Sequence, residues 1–176
     1  MVNNNFFSKE LLHKIKKHNA QIAIIGLGYV GLPLAIRFCD EGFKTFGLDI
    51  DNEKIKKLSF GKSYIKHIKD DVIKNLNNKL FITSSDFSLI KKSDVIIICV
   101  PTPLGKHNDP DLSYIHQTLK TIKPNMKNGQ LLILESTTYP GTTEEELVPF
   151  VELNNFKVGK NYFIGYSPER EDPGNK

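Results

Sequence analysis

Apolar positions along the chain follow two alternating rhythms. Short runs rich in consecutive apolar residues recur at Ile22–Ile25, Phe43–Leu48, Leu80–Thr83, Val95–Val100, Gln130–Leu134 and Tyr162–Tyr166. Between most of them lie segments whose apolar residues return every three or four positions: Val30–Asp40, Asn52–Leu58, Asp70–Leu76, Tyr114–Ile122 and Thr143–Val151. The first rhythm predicts strands and the second amphipathic helices. Val95–Val100 is apolar throughout, as expected of a strand covered on both sheet faces. Strands alternating with helices predict an α/β fold with a parallel sheet and right-handed crossovers. Six strands in two successive groups of three match the Rossmann-type doubly wound plan, order 3-2-1-4-5-6.

Ahead of the first strand, residues 1–19 predict an N-terminal extension packed on the main domain, which runs from 20 to 176. Its start is loose; Ser8 then caps a short helix in which Leu11, Leu12 and Ile15 share one face. At the other end, Thr143 and Glu146 match a capping box inside an acidic first turn.

Composition narrows the class. A chain of 176 residues, 39% hydrophobic, buries a real core without disulfides. A net charge of +4, with lysines scattered among acids, argues against a dedicated nucleic-acid surface yet does not repel a diphosphate. The longest apolar runs are far too short to cross a bilayer. The N-terminus lacks the apolar core of a secretory signal, and its Asn-rich start, Glu10 and lack of arginine fit a mitochondrial presequence poorly. Cys39 and Cys99 have no metal-like spacing, so no metal site and a reduced, cytoplasmic setting are expected.

The strongest local signal is Gly26-Leu27-Gly28-Tyr29-Val30-Gly31, directly after a strand and directly before a helix. Gly26 permits a tight turn, Gly28 lets backbone approach a pyrophosphate, and Gly31 lets helix and strand pack closely. The helix start offers N–H groups and a positive dipole end to phosphates. Pro33 falls in the first turn, where a missing N–H costs little. A lone glycine pattern is weak, but Asp49 closes the second strand at the expected distance. Its carboxylate would accept from the adenosine ribose hydroxyls and repel a 2′-phosphate, favouring NAD over NADP.

Three further loops fall at strand ends on the edge where such folds bind ligands. They are Pro101-Thr102-Pro103, the hydroxyl-dense stretch from Glu135 to Thr142, and Ser167-Pro168-Glu169-Arg170. Each alone reads as an ordinary connection. Together they place hydroxyls and a carboxylate where the nicotinamide end should reach, suited to orienting water or a substrate alcohol.

These motifs resemble the UDP-glucose/GDP-mannose dehydrogenase family. The resemblance rests on Ile25 to Ala35, Val100-Pro101-Thr102-Pro103, Ser136 to Thr142, and Ser167-Pro168-Glu169-Arg170 with Asp172-Pro173-Gly174-Asn175-Lys176. It covers the chain from about residue 20 onward. Gly61-Lys62-Ser63-Tyr64-Ile65, His67-Ile68 and the Ser-Pro-Glu-Arg run are similar to the branch acting on UDP-N-acetylhexosamines. The resemblance implies oxidation of a sugar C6 alcohol to a carboxylate in two NAD-dependent steps, through a thioester on a cysteine. It implies Thr138 and Glu169 as residues that position and activate water, with Glu169 the general base. Tyr29, Val30, Val100, Pro101, Thr102 and Thr138 would join the glycines at the cofactor, Lys54 would lie near adenosine, and Arg170 and Glu169 would meet the UDP-sugar.

The family's nucleophilic cysteine belongs to a central domain outside this sequence, so the chain alone is expected to be inactive. Cys39, mid-helix, and Cys99, near a strand end, read as core packing. Full-length family members are expected to be homo-oligomers, and this stretch a monomer. His13, His18, His67, His107 and His116 read as solvated, with His67 nearest the cofactor. Lys56 and Lys57 read as a solvated helix face. Alternatives are a UDP-glucose or GDP-mannose 6-dehydrogenase, a non-catalytic NAD-binding module, and a β-hydroxyacid or 6-phosphogluconate-type dehydrogenase, against which the Ser-Pro-Glu-Arg run counts.

Overall fold

The computed structural model describes residues 5–77, 80–105 and 109–168. In chain order the elements are α1 (Phe6–Lys16), β1 (Ile22–Ile25), α2 (Gly31–Asp40), β2 (Thr45–Leu48), α3 (Asn52–Ser59) and α4 (Asp70–Asn77). There follow β3 (Phe81–Ser84), β4 (Val95–Ile98), α5 (Ser113–Ile122), β5 (Gln130–Leu134), α6 (Val148–Leu153) and β6 (Tyr162–Tyr166). The six strands form one parallel sheet in the order β3-β2-β1-β4-β5-β6, as the sequence predicts. Register aligns their carboxyl ends: Ile25 pairs with Leu48 and Ile98, Leu48 with Ser84, Ile98 with Leu134, and Leu134 with Tyr166. Every connection leaving a strand therefore starts from one common edge.

Period-two alternation sorts the strand residues between two cores. Ile22, Ile24, Val95 and Ile97 meet Leu32 and Ala35 of α2, Leu58 of α3, Ile73 of α4 and Leu11 of α1. Ala23, Ile25, Ile96 and Ile98 meet Ile115, Leu119 and Ile122 of α5, with Leu147 and Val151. All residues of β1, β2 and β4 are buried, which is why these strands show no polar alternation. The N-terminal helix docks through Leu11, whose burial is worth about 2 kcal/mol. Lys14 adds a bond to Asp94 at 3.0 Å, the same carboxylate that accepts the Gln21 N–H.

Local details differ from expectation. Ser8 lies inside α1 rather than capping it: its hydroxyl donates back to the Asn5 carbonyl, and Asn5 holds the cap position without a side-chain bond. The Thr143–Glu146 capping box does not form. Residues Thr143–Leu147 make a widened π-type turn before α6, and Thr142, not Thr143, donates its hydroxyl, to the Tyr139 carbonyl. Pro149 explains the widening, since it has no N–H for the i−4 carbonyl and its ring crowds that oxygen. Phe43 belongs to the turn after α2, its N–H bonded to the Phe38 carbonyl, so β2 starts two residues later than predicted. β4 ends at Ile98 instead of Val100; the Cys99 N–H still bonds the Ile25 carbonyl at 2.8 Å, and the chain leaves the sheet after it.

Candidate functional site

The loop after β1 is shaped by two glycines for the chain's own sake and by a third for something else. Gly26 has φ +90°, and a Cβ there would lie 2.7 Å from the Cys99 carbonyl oxygen. At Gly31 a Cβ would fall 1.9 Å from the Gly26 oxygen and 3.2 Å from the Cys99 Cβ. Side chains are thus excluded at both by close backbone approach. Gly28 is different: a Cβ would meet nothing within 4 Å, and φ there is not in the left-handed region. Packing does not demand glycine at that position, whereas close approach of a phosphate would. α2 begins beside it with Val30 at its cap, no side-chain capping bond and no acid in its first turn. That leaves the positive end of the helix dipole uncompensated for an anion. The loop fits a dinucleotide pyrophosphate.

Asp49, at the end of β2, is buried beneath this loop. Its Oδ2 accepts the Leu27 N–H at 2.8 Å and lies 3.3 Å from Lys54 Nζ; its Oδ1 accepts the Asp51 N–H at 2.9 Å. A carboxylate offers about four acceptor sites, so Oδ1 keeps capacity for a ligand hydroxyl. Lys54 comes from α3, whose first turn is capped by Asp51 accepting the Glu53 and Lys54 N–H groups. The Lys54 ammonium also sits 6.0 Å above the Tyr64 ring. The Tyr64 phenol donates to the Leu27 carbonyl at 2.5 Å, and burial, reinforced by Asp49 and Asp51, pushes its pKa well above the ordinary tyrosine value.

Across the sheet edge the loops knit together. Ser136 donates to the Val100 carbonyl at 2.6 Å and Thr102 to the Thr137 carbonyl at 2.7 Å. The result is a cleft of about 690 Å³. Gly26, Gly28, Tyr29, Val30, Asp49, Lys54, Val100, Pro101 and Thr102 all line it. Gly31 does not line it, being packed beneath the loop. Thr138 stands outside its lining, with its N–H and hydroxyl each 3.4 Å from the Tyr166 hydroxyl. Glu169 and Arg170 lie outside the described residues.

Several lining residues were not anticipated. Tyr114, Gln117, Thr118 and Thr121 of α5 line it, as do Ile50, next to Asp49 in sequence, and Phe87. The four α5 positions follow i, i+3, i+4, i+7 spacing, a polar stripe beside the buried one of Ile115, Leu119 and Ile122, and that periodicity was the available signal. Cys99 corrects the sequence reading: it is half-buried, packs against the core, and also lines the cleft, because β4 stops one residue before it. Cys39 is buried as expected, and burial raises its thiol pKa. Two histidines have partners distant in sequence. His116 is 2.8 Å from Glu146, and His18 bonds the Glu41 carbonyl and stacks on Phe43. His67 is exposed, its ring 6.4 Å from that of Tyr29. His107 lies outside the described residues. Among the described residues no cluster of His, Cys, Asp and Glu is arranged to hold a metal ion, and no helix is long and apolar enough to cross a membrane.

Residues 20–176 match the model of the UDP-glucose/GDP-mannose dehydrogenase family, NAD binding domain. The chain belongs to that family. Its cofactor is accordingly NAD, and the fold is that of the family's NAD-binding domain. Protein CapL of Staphylococcus aureus is 42% identical over 159 residues, covering 90% of this chain and 37% of that protein. The UDP-N-acetyl-D-glucosamine 6-dehydrogenase of Salmonella typhi is 36% identical, covering 89% of this chain and 36% of that protein. Among solved structures, the UDP-N-acetyl-mannosamine dehydrogenase Cap5O from S. aureus superimposes with a TM-score of 0.81 at 32% identity, covering 88% of this chain and 37% of that one. The chain thus spans little more than a third of the length of these relatives.

Proposed function

We propose that this NAD-binding domain serves a nucleotide-sugar dehydrogenase that oxidises the C6 alcohol of a UDP-N-acetylhexosamine to a carboxylate, using two NAD⁺ per sugar. The observation that carries the reading is the convergence on one cleft of the glycine loop, Asp49 and the hydroxyl-bearing loop after β5. Relatives named for both N-acetylglucosamine and N-acetylmannosamine substrates match this chain, which supports the class of sugar and not its C2 configuration.

NAD supplies the hydride acceptor when bound. The chain's own residues do the rest of the work assigned to this half. Gly26, Gly28 and the start of α2 hold the pyrophosphate, and Asp49 with Lys54 holds the adenosine ribose. Thr102, fixed by its bond to the Thr137 carbonyl, lies toward the nicotinamide ribose. Thr138 orients the water that hydrolyses the acyl intermediate, Glu169 takes its proton, and Arg170 meets the sugar nucleotide. In this reading residues 1–19 are an extension docked on a domain of residues 20–176, and the nucleophilic cysteine is supplied by the remainder of a longer enzyme.

Two measurements test the reading. Calorimetric titration of the chain should give saturable NAD⁺ binding, with NADP⁺ much weaker. The longer enzyme should form two NADH per UDP-N-acetylhexosamine and turn over UDP-glucose and GDP-mannose poorly. One NADH per sugar, or faster turnover of UDP-glucose, would overturn the assignment of reaction or of substrate respectively.

A further inference from the structure

The ten residues 60–69 between α3 and α4 are tightly built. Gly61 has φ +70°, and a Cβ there would strike the Lys74 side chain at 2.4 Å. Asp70 accepts the Ser63 N–H at 2.9 Å and the Lys62 ammonium at 2.8 Å. Ile65 is buried in the core beneath α3 and α4. These anchors leave Tyr64 half-buried with its hydroxyl on the phosphate loop.

What that hydroxyl grips is specific. Leu27 is fully buried, its side chain in the core with Leu32, Ala35 and Leu58. Its N–H is held by Asp49 at 2.8 Å and its carbonyl by Tyr64 at 2.5 Å, so the residue is clamped from both sides. The Leu27–Gly28 peptide is trans, which sets the Gly28 N–H antiparallel to the gripped carbonyl and turns it away from Tyr64. Gly28 is also the residue over which space is open. Without the phenol the peptide is free to rock about its flanking dihedrals, and a donor that must be ordered by the ligand binds it less well.

We propose that Tyr64 is a positioning residue for the pyrophosphate of NAD: its hydroxyl locks the Leu27–Gly28 peptide so that the loop's N–H groups are aimed before the cofactor arrives. The inference rests on the cleft being the NAD site. Because the phenol stays protonated across the working pH range, it remains a donor, and the lock does not switch with pH.

The test is Tyr64→Phe in this chain, titrated with NAD⁺, ADP-ribose and adenosine. NAD⁺ and ADP-ribose should bind about fivefold more weakly, the equivalent of one ordinary hydrogen bond. Adenosine, which carries no phosphate, should bind the variant and the parent alike in ligand-observed NMR at millimolar concentration. Equal weakening of all three ligands would show a general structural role and overturn the proposal, as would unchanged NAD⁺ affinity. If Tyr64→Phe does not fold, Asp70→Ala, which releases the strap at the surface, must show the same split between phosphate-bearing ligands and adenosine; absence of the split there counts against the proposal. Failure of the parent chain itself to bind NAD⁺ would instead remove the reading of the cleft.

Discussion

The three glycines of the loop make separable demands, and paired alanine substitutions should expose them. In Gly31→Ala the new methyl would sit 1.9 Å from the Gly26 carbonyl oxygen and 3.1 Å from its carbon. Those are backbone atoms with no rotamer to escape into, so the loop or α2 must shift. Overpacking of a tight interior typically costs about 1–3 kcal/mol, and a backbone clash belongs at the upper end, about 3 kcal/mol. For a domain of this size each kcal/mol lowers the melting temperature by about 2–4 °C, so Gly31→Ala should melt roughly 10 °C below the parent. Gly28→Ala meets nothing within 4 Å. Alanine there restricts the unfolded chain, and stability should be unchanged or higher by up to about 1 kcal/mol. Its methyl nevertheless stands where the pyrophosphate must approach. Losing a single charge-assisted N–H to phosphate bond, worth about 1.5–3 kcal/mol, weakens NAD⁺ at least about tenfold. Thermal melts and calorimetric titration of both variants provide the assay. Wild-type NAD⁺ affinity in Gly28→Ala would refute the placement of the phosphate, and a large loss of stability there would refute the packing argument.

Other outcomes follow from the same geometry. Asp49→Asn keeps the shape but removes the charge facing Lys54 and the ribose; the ratio of NADP⁺ to NAD⁺ affinity should rise about tenfold or more, and an unchanged ratio would mean that selectivity lies elsewhere. Asp70 has its pKa held below the ordinary aspartate value by the Lys62 hydrogen bond first and the Ser63 N–H second, so the stability it lends is fully present above the unfolded value and is lost as pH falls through the depressed folded one. Asp70→Asn should therefore flatten the acid limb of melting temperature against pH, and a curve parallel to the parent's would show that the pair contributes nothing. Cys99 lines the cleft whereas Cys39 is buried, so iodoacetamide should label Cys99 first and saturating NAD⁺ should slow that reaction; labelling indifferent to NAD⁺ would place the cofactor away from β4.

How much of this was legible in the sequence divides along the range of the forces involved. β1 and β4 could be read because a strand covered on both faces must be apolar at every position, and Ile22–Ile25 and Val95–Ile98 are. The phosphate loop could be read because glycine spacing, the strand before it and the acid after β2 are all local or nearly so. Helix starts were read less well, since a hydroxyl such as that of Ser8 or Thr142 can as readily satisfy a carbonyl three residues back as cap an N–H ahead. The farthest misses were set by where strands stop. β4 is apolar through Val100, but the strand ends at Ile98 and the chain then passes so close to the φ +90° turn at Gly26 that a Cβ there would lie 2.7 Å from the Cys99 carbonyl oxygen. That turn belongs to a segment some seventy residues earlier, and nothing near Cys99 encodes it. The same holds for Tyr64, whose hydroxyl finds the Leu27 carbonyl across 37 positions. A residue's membership in the cleft is thus decided by the register between distant strands, which the aligned ends of Ile25, Leu48, Ile98 and Leu134 fix only once the whole sheet has formed.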